Sequence, residues 1–305
     1  MTAGPDGVLV VDKSDGPTSH DVVAVARRAL ATSRVGHTGT LDPMATGVLV
    51  LVVGRATRLA RYMAGDVKEY LAEVTFGRDT DSFDARGAVT RETGLAPERE
   101  SLVAALAHLA AQPTQRPPAF SAKKVDGEVA YAAARRNAPL VLAPVPVVVH
   151  QLTLLGYEHG VAHLSMRVSA GFYVRSLAHD LGEALGTGAH LSALRRTRAG
   201  AFDLAGAVTF EALKAAPRGS AAPWLRPLES LLTDRPAAVL APEAVSRVRH
   251  GQTVQGTVSG AAVPDEAIRL LDDDGRLVAV ARAATDGPAP AAGRPVALRP
   301  VVVLG

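Results

Sequence analysis

A chain of 305 residues suggests roughly two domains, and its 48% apolar share is ample for a buried core. No apolar run reaches the ~18 residues of a membrane helix, Met1 to Asp6 lacks the regions of a signal peptide, and the absence of cysteine excludes disulfides and thiolate zinc sites, as suits a cytosolic protein. The 33 basic side chains, 28 of them arginine, leave a net charge of only +3, which weakly favours an anionic partner and does not by itself indicate RNA.

Gly7 to Lys13 reads as a short strand, followed by a turn at Ser14-Asp15-Gly16-Pro17. Thr18 and Asp21 have the spacing of a capping box, and Val22, Ala26, Ala29 and Leu30 recur at helical spacing to give one buried face. The segment Gly36-His37-Thr38-Gly39-Thr40-Leu41-Asp42-Pro43-Met44-Ala45-Thr46-Gly47 then packs three glycines, three threonines and one acid into a loop. Val48 to Val53 follows it as a buried strand. Glycines free the backbone and Pro43 fixes φ beside the acid, so the loop presents one carboxylate, Asp42, at a sheet edge. By composition alone such a segment is most often a turn. It is neither a phosphate loop nor a nucleophile elbow, since it holds no lysine and no serine.

Beyond this loop, Gly54 to Arg61 reads as a short basic helix with Arg55, Arg58 and Arg61 on one stripe, equally a phosphate-facing edge or a solvated face. Val67 to Gly77 alternates as a strand in which Tyr70 is a half-buried aromatic, and the acids of Thr80 to Gly87 organise a turn. Leu102 to Leu109 reads as a helix. Pro117 to Gly127 is a Pro-rich basic loop, with Tyr131 and Arg135 four residues apart on the helix that follows. Lys123 and Lys124 beside aromatics suit phosphate and base contacts, though an exposed loop fits as well. Val145 to Leu155 and Val161 to Val168 read as strands, and the second leads into Ser169 to Leu177 and a helix through Gly182. From about 216 to 241 the composition turns to Ala, Pro, Arg and Gly, the mark of a linker. A hairpin over Ala267 to Ala281, turning at Asp272 to Gly275, and a strand from Pro295 to Leu304 complete a small β unit.

The Gly36 to Leu49 segment resembles the catalytic motif of the TruB-type pseudouridine synthases, G-H-T-G-x-L-D-P-x-A-T-G-x-L, with Met44 where leucine is common. Lys13 with Gly16-x-Thr18-Ser19 is similar to that family's K-P-x-G-x-T-S, Ser14 standing for the proline. Lys68-x-Tyr70 and Thr80 to Gly87 resemble its second motif and T-D-x-x-D-x-x-G. Residues 117–135 resemble its RNA-gripping insertion, and Ser169 to Leu177 resembles S-x-G-x-Y-I-R-x-L. The resemblance covers about residues 8–200, and a weaker one links the C-terminal unit to PUA-like RNA-binding modules.

This resemblance implies an α+β fold: a mixed, mainly antiparallel sheet flanked by helices and loops, plus a small C-terminal β-rich PUA-like domain. It divides the chain into a catalytic domain over 1–215 with an insertion at about 113–140, a linker over 216–241 and the small domain over 242–305. It implies isomerisation of uridine to pseudouridine at position 55 in the T loop of tRNA, the base being reached by flipping, with assistance to tRNA folding as a further role. Asp42 is then the essential acid, attacking sugar or base or assisting C1′ cleavage; Tyr70 stacks on the base, and Arg175 pairs with Asp42 and holds it ionised. His37 fills the gap or contacts displaced RNA, and Tyr173 and Leu194 line the uracil pocket. Lys13, Lys68, Lys123, Lys124 and Arg195 are expected to contact RNA. No cofactor or metal is needed, and a cytoplasmic monomer acting on tRNA without a protein partner or membrane is expected. An RNA binder with vestigial activity and an aspartate-dependent glycosidase are the other two readings; the second generally needs two carboxylates, and the sequence places no second acid of comparable context beside Asp42.

Overall fold

The computed structural model of the chain describes residues 4–121, 123–125, 127–136, 138, 140–259, 266–284 and 295–304. Seven strands carry the main sheet: β1 (Gly7–Lys13), β2 (Val35–His37), β3 (Thr46–Val53), β4 (Lys68–Phe76), β5 (Val149–Glu158), β6 (Val161–Val168) and β7 (Ala189–Ala199). The short strands Phe202–Asp203 and Val208–Thr209 bring the sheet to nine. Its order is β5-β6-β4-β7-β3-β1 and then Val208–Thr209, with β2 on β3. All pairings are antiparallel except β7 with β3 and β1 with Val208–Thr209, so the sheet is mixed and mainly antiparallel.

The apolar run of β3 is uninterrupted because both of its faces are covered. Successive strand side chains point to opposite faces. Leu49, Leu51 and Val53, with Leu9 and Val11 of β1, face a core closed by three helices, α1 (Ser19–Ala29), α2 (Arg99–Ala110) and α3 (Val174–Ala184). Val48, Val50 and Val52, with Val8 and Val10, face a second core. That core is closed by Ala56, Leu59 and Met63, by Leu228, Leu231 and Leu232, and by Leu277, Val280, Val302 and Leu304 from the C-terminal end. The capping box expected for α1 is present, Thr18 and Asp21 bonding each other's backbone N–H at 2.8 and 3.1 Å.

The C-terminal unit is a five-stranded sheet of β8 (Ala237–Val239), β9 (Val254–Thr257), β10 (Ile268–Leu271), β11 (Leu277–Ala283) and β12 (Pro295–Val303), ordered β8-β10-β11-β12-β9. The expected hairpin is β10 with β11, and a helix, α4 (Pro242–Arg249), packs beside it. The stretch from 216 to 241 is more structured than its composition suggests. Arg226 exchanges two backbone hydrogen bonds with Val8, Leu231 is fully buried, and β8 already belongs to the small sheet. Alanine, proline and arginine there leave enough leucine to fill the second core, which a composition count overlooks.

The basic stripe after β3 also has a different use. Gly54–Leu59 is a 3-10 helix followed by one turn over Ala60–Met63. Arg55 pairs with Asp6 at 2.6 Å and donates to the Leu304 carbonyl, and Arg58 donates to the Val303 carbonyl. These two arginines tie the C-terminal strand to the main sheet instead of presenting a free phosphate edge. Among the described residues no helix is long and apolar enough to cross a membrane.

Leu51→Ala, with no exposed surface on the wild-type side chain, is expected to lose about 2–5 kcal/mol of stability. Leu155→Ala, on the exposed side of β5, should change it by no more than ~0.5 kcal/mol. Urea unfolding of the two variants measures both.

Candidate active site

The Gly/Thr loop between β2 and β3 has little regular structure, so its carbonyls need partners from elsewhere. Two buried cations and one hydroxyl supply them. Lys13, at the end of β1 and fully buried, donates from Nζ to the carbonyls of Ala45 at 2.6 Å, Pro43 at 3.1 Å and Ser14 at 3.0 Å. An ammonium has three protons and no acceptor, so three carbonyls satisfy it completely. Arg196, on β7 and 2% exposed, donates Nη2 to Gly39 at 3.1 Å, Nη1 to Thr40 at 3.3 Å and Nε to Val48 at 2.7 Å. Ser19, at the start of α1, both accepts from the Leu41 N–H and donates to the Leu41 carbonyl. Gly47 closes the loop at φ +98, where a side chain would run into the Arg196 backbone; only glycine fits that crossing of β1, β3 and β7.

This frame holds Asp42. Arg175, in the first turn of α3, donates Nε to Asp42 Oδ2 at 2.9 Å and Nη2 to Oδ1 at 3.2 Å, a bidentate pair. The guanidinium is itself pinned by the carbonyls of Ser82 at 3.0 Å and Phe120 at 2.9 Å. The two ends of the pair differ in exposure, 6% for the arginine side chain and 35% for the aspartate. One carboxylate is therefore oriented from behind by a buried cation and still open to an incoming molecule.

Tyr70 and Leu194 lie on the same side of the sheet, packed on the core that also holds Leu41 and Ala45 of the loop. Tyr70 is on β4, opposite Arg196 in register. Tyr173 precedes α3, its backbone fixed by both ends of the Gln115 amide. Burial pushes its phenol above 10, the Ser121 hydroxyl and Arg175 pull it down, and Asp42 adds to the rise. His37 ends β2, set edge-to-face on His20 with ring centroids 5.6 Å apart. Burial, His20 and Arg196 all hold it below 6.5, and its Nδ1 is buried without a hydrogen-bond partner among the described residues. Asp42, Arg175, Tyr70, Tyr173, Leu194 and His37 thus gather around one loop.

The expected RNA-contacting lysines divide. Lys13 is enclosed and braces the loop, so it does not face RNA. Lys68 is also buried, capping the Ala64 and Asp66 carbonyls at 2.8 and 2.5 Å, with burial lowering it to about 8. Both sit at strand ends, but Lys13 is covered by the loop at Pro43 and Ala45, and Lys68 turns back onto the segment that precedes it. Arg195 pairs with Asp12 at 2.8 Å yet keeps 39% of its side chain exposed, and Lys123 is exposed. The side chain of Lys124 lies outside the described residues.

Two residues matter more than their sequence context suggested. Adjacent arginines in a strand must face opposite sides, so of Arg195 and Arg196 one had to enter the interior. Asp84 is the other. Its Oδ2 lies 3.8 Å from the Arg175 Nε, making it a second carboxylate on the same guanidinium, contrary to the expectation that none lay near. It is nearly enclosed, at 11%, and its Oδ1 accepts from Ser82 Oγ at 2.8 Å and the Arg86 N–H at 3.0 Å. It orients the arginine and is not open to a substrate as Asp42 is.

Residues 27–174 match the TruB family pseudouridylate synthase N-terminal domain, and 175–233 match the tRNA pseudouridylate synthase B C-terminal domain. This chain belongs to the TruB family of pseudouridylate synthases. It is 42% identical over 277 residues to the tRNA pseudouridine synthase B of Solibacter usitatus, across 90% of this chain and 94% of that one. Identity to the Symbiobacterium thermophilum protein of the same name is 47% over 250 residues, across 81% and 82%. Among solved structures, a chain of a Cbf5-Nop10-Gar1 complex superposes with a TM-score of 0.74 at 25% identity, across 99% of this chain and 85% of that one. The TruB membership makes the chain an isomerase, and the junction of the two matched domains falls directly before Arg175.

Two outcomes follow for the TruB site. Burial lowers Lys13 from 10.5 to about 8; Asp15 and Asp42 raise it, while Arg86 and Arg196 lower it further. Between about 8 and 10.5 the unfolded chain keeps a proton the folded chain has released, so Lys13 makes stability rise with pH across that window and fall as pH drops through about 8. Lys13→Met should remove that rise from the unfolding free energy measured against pH, while lowering stability throughout by about 1–3 kcal/mol for each carbonyl left unpaired. Arg175→Lys keeps the charge but not the fork, and should lower kcat by about 10²–10³-fold with little change in KM, as read by steady-state kinetics on tRNA.

Proposed function

We propose that this TruB protein isomerises uridine to pseudouridine at position 55 in the T loop of tRNA, with Asp42 as the working carboxylate. The observation that carries the reading is the bidentate Asp42–Arg175 pair, in which the arginine is buried and the carboxylate open. The relatives named tRNA pseudouridine synthase B support the substrate.

A uridine stacked within a folded T loop is out of reach, so it is flipped toward Asp42 at a cost of a few kcal/mol. The N1–C1′ bond breaks, the uracil turns, and a C5–C1′ bond forms as the C5 proton leaves to water and N1 takes up a proton from water. Asp42 works either as a nucleophile on sugar or base or by assisting C1′ cleavage, and Arg175 keeps it aimed. Tyr70 stacks on the base and moves a proton; Tyr173 and Leu194 line the uracil pocket; His37 fills the space the base vacates. The exposed Tyr131, with the Arg135 guanidinium 5.5 Å from its ring centroid, gives the insertion a stacking surface beside a cation. Arg195 and Lys123 suit contacts to the RNA backbone, and the five-stranded C-terminal sheet suits a PUA-like RNA-binding role. Asp84 does not serve as the second carboxylate of a glycosidase, because it is closed in and already hydrogen-bonded.

Tritium release from tRNA transcript labelled at C5 of uridine tests the reading. Wild type should release it, cytidine in place of the T-loop uridine should abolish release, and Asp42→Asn should lower turnover by about 10³-fold or more with tRNA binding retained. Tight binding by wild type without release would leave an RNA binder.

A further inference from the structure

The acid-rich turn after β4 contains an aromatic residue in an unusual place. Phe83 has φ +64, a left-handed conformation that is an outlier for a bulky side chain and persists only where its surroundings impose it. Its ring lies flat on the His179 imidazole, with centroids 3.8 Å apart and planes 4° from parallel. His179 is on α3 four residues after Arg175, so both project from one face of the helix. Phe83 also sits between the two residues that flank the guanidinium from the far side. The Ser82 carbonyl accepts from Arg175 Nη1 at 3.0 Å, and the Asp84 carboxylate lies 3.8 Å from Nε.

The remainder of the turn is tied down independently. The Phe83 carbonyl accepts from the Leu191 N–H at 3.0 Å, the Ala85 N–H donates to the Leu191 carbonyl at 3.0 Å, and Thr80 Oγ1 donates to the Asp84 carbonyl at 2.7 Å. The two Leu191 bonds fix the turn to β7, and the Thr80 bond closes it on itself. Beside the contacts that Arg175 itself makes with Ser82 and Asp84, the ring stack is a second tie between the turn and α3, one helical turn further along. His179 contributes a flat surface here, since its Nδ1 is buried with no hydrogen bond among the described residues.

We infer that Phe83 and His179 form a positioning pair, whose stack holds the Ser82 carbonyl and the Asp84 carboxylate against Arg175 and thereby sets how Arg175 presents Asp42. Neither ring is asked to touch substrate. The left-handed backbone at Phe83 lets residues on both sides of it converge on one guanidinium, and the stack holds that conformation in place. This rests on Asp42 being the working carboxylate.

The test compares wild type with His179→Ala, His179→Leu and His179→Phe by tritium release, tRNA affinity and thermal midpoint. Phenylalanine keeps a flat ring without the ring nitrogens; leucine fills the space without a flat ring and serves where the alanine variant is poorly folded. Loss of the stack should lower kcat about 10- to 100-fold in the alanine and leucine variants, with tRNA affinity within about twofold of wild type. His179→Phe should restore kcat to near wild type. Wild-type kcat in the leucine variant, or a phenylalanine variant as slow as the leucine one at equal thermal midpoint, would overturn the inference. A wild-type protein that binds tRNA and releases no tritium would instead overturn the reading beneath it.

Discussion

The structure depends on satisfying the carbonyls of an irregular loop from inside the protein. A loop that must offer a carboxylate at a fixed angle cannot be a helix or a strand, whose hydrogen bonds close on themselves. Lys13 and Arg196 take that role, gripping the backbone at residues 39, 40, 43, 45 and 48. Burying a cation is costly unless its donors find partners; here all three protons of Lys13 and every nitrogen of Arg196 meet a carbonyl. The same feature lowers Lys13 to about 8. Rigidity in the loop is thus obtained from charge that never reaches solvent.

The loop leads straight into β3, whose two faces serve two cores. One core carries α1 and α3, which deliver Ser19 and Arg175 to the site. The other carries the C-terminal unit, seated on Val48, Val50 and Val52 and latched by Arg55 and Arg58. A strand buried on both sides is therefore the mechanical link between the Asp42 loop and the small sheet. Around Asp42 the charges are layered. The open carboxylate stands in front, the buried guanidinium behind it, and Asp84 with the Ser82 and Phe120 carbonyls further back. Each layer restricts the rotation of the one in front.

Much of this was legible in the sequence. The uninterrupted run at 48–53, the capping box at Thr18 and Asp21, and the hairpin at 268–281 are local patterns with local physical causes, and each appears where the pattern places it. The pairing of Arg175 with Asp42 was anticipated through motif resemblance, because 133 residues separate them and no local rule connects them. Three features escaped notice for a common reason. Lys13 and Lys68 sit at strand ends that would ordinarily be wet, and only the chain folding over them shows otherwise. Asp84 looked like a turn residue, which it is, while also facing Arg175 across the fold. The stretch from 216 to 241 looked like a linker because composition is blind to which few leucines find a core.

The sequence by itself determined the elements, the Gly/Thr loop that presents Asp42 and the TruB family, since helical spacing, strand alternation, glycine and proline conformations and a fourteen-residue motif are all written along the chain. Tertiary structure alone decided which charges are buried and which remain open. Burial and partnership depend on residues far apart in sequence, and the same lysine or aspartate is a solvated group or a structural brace according to what folds over it.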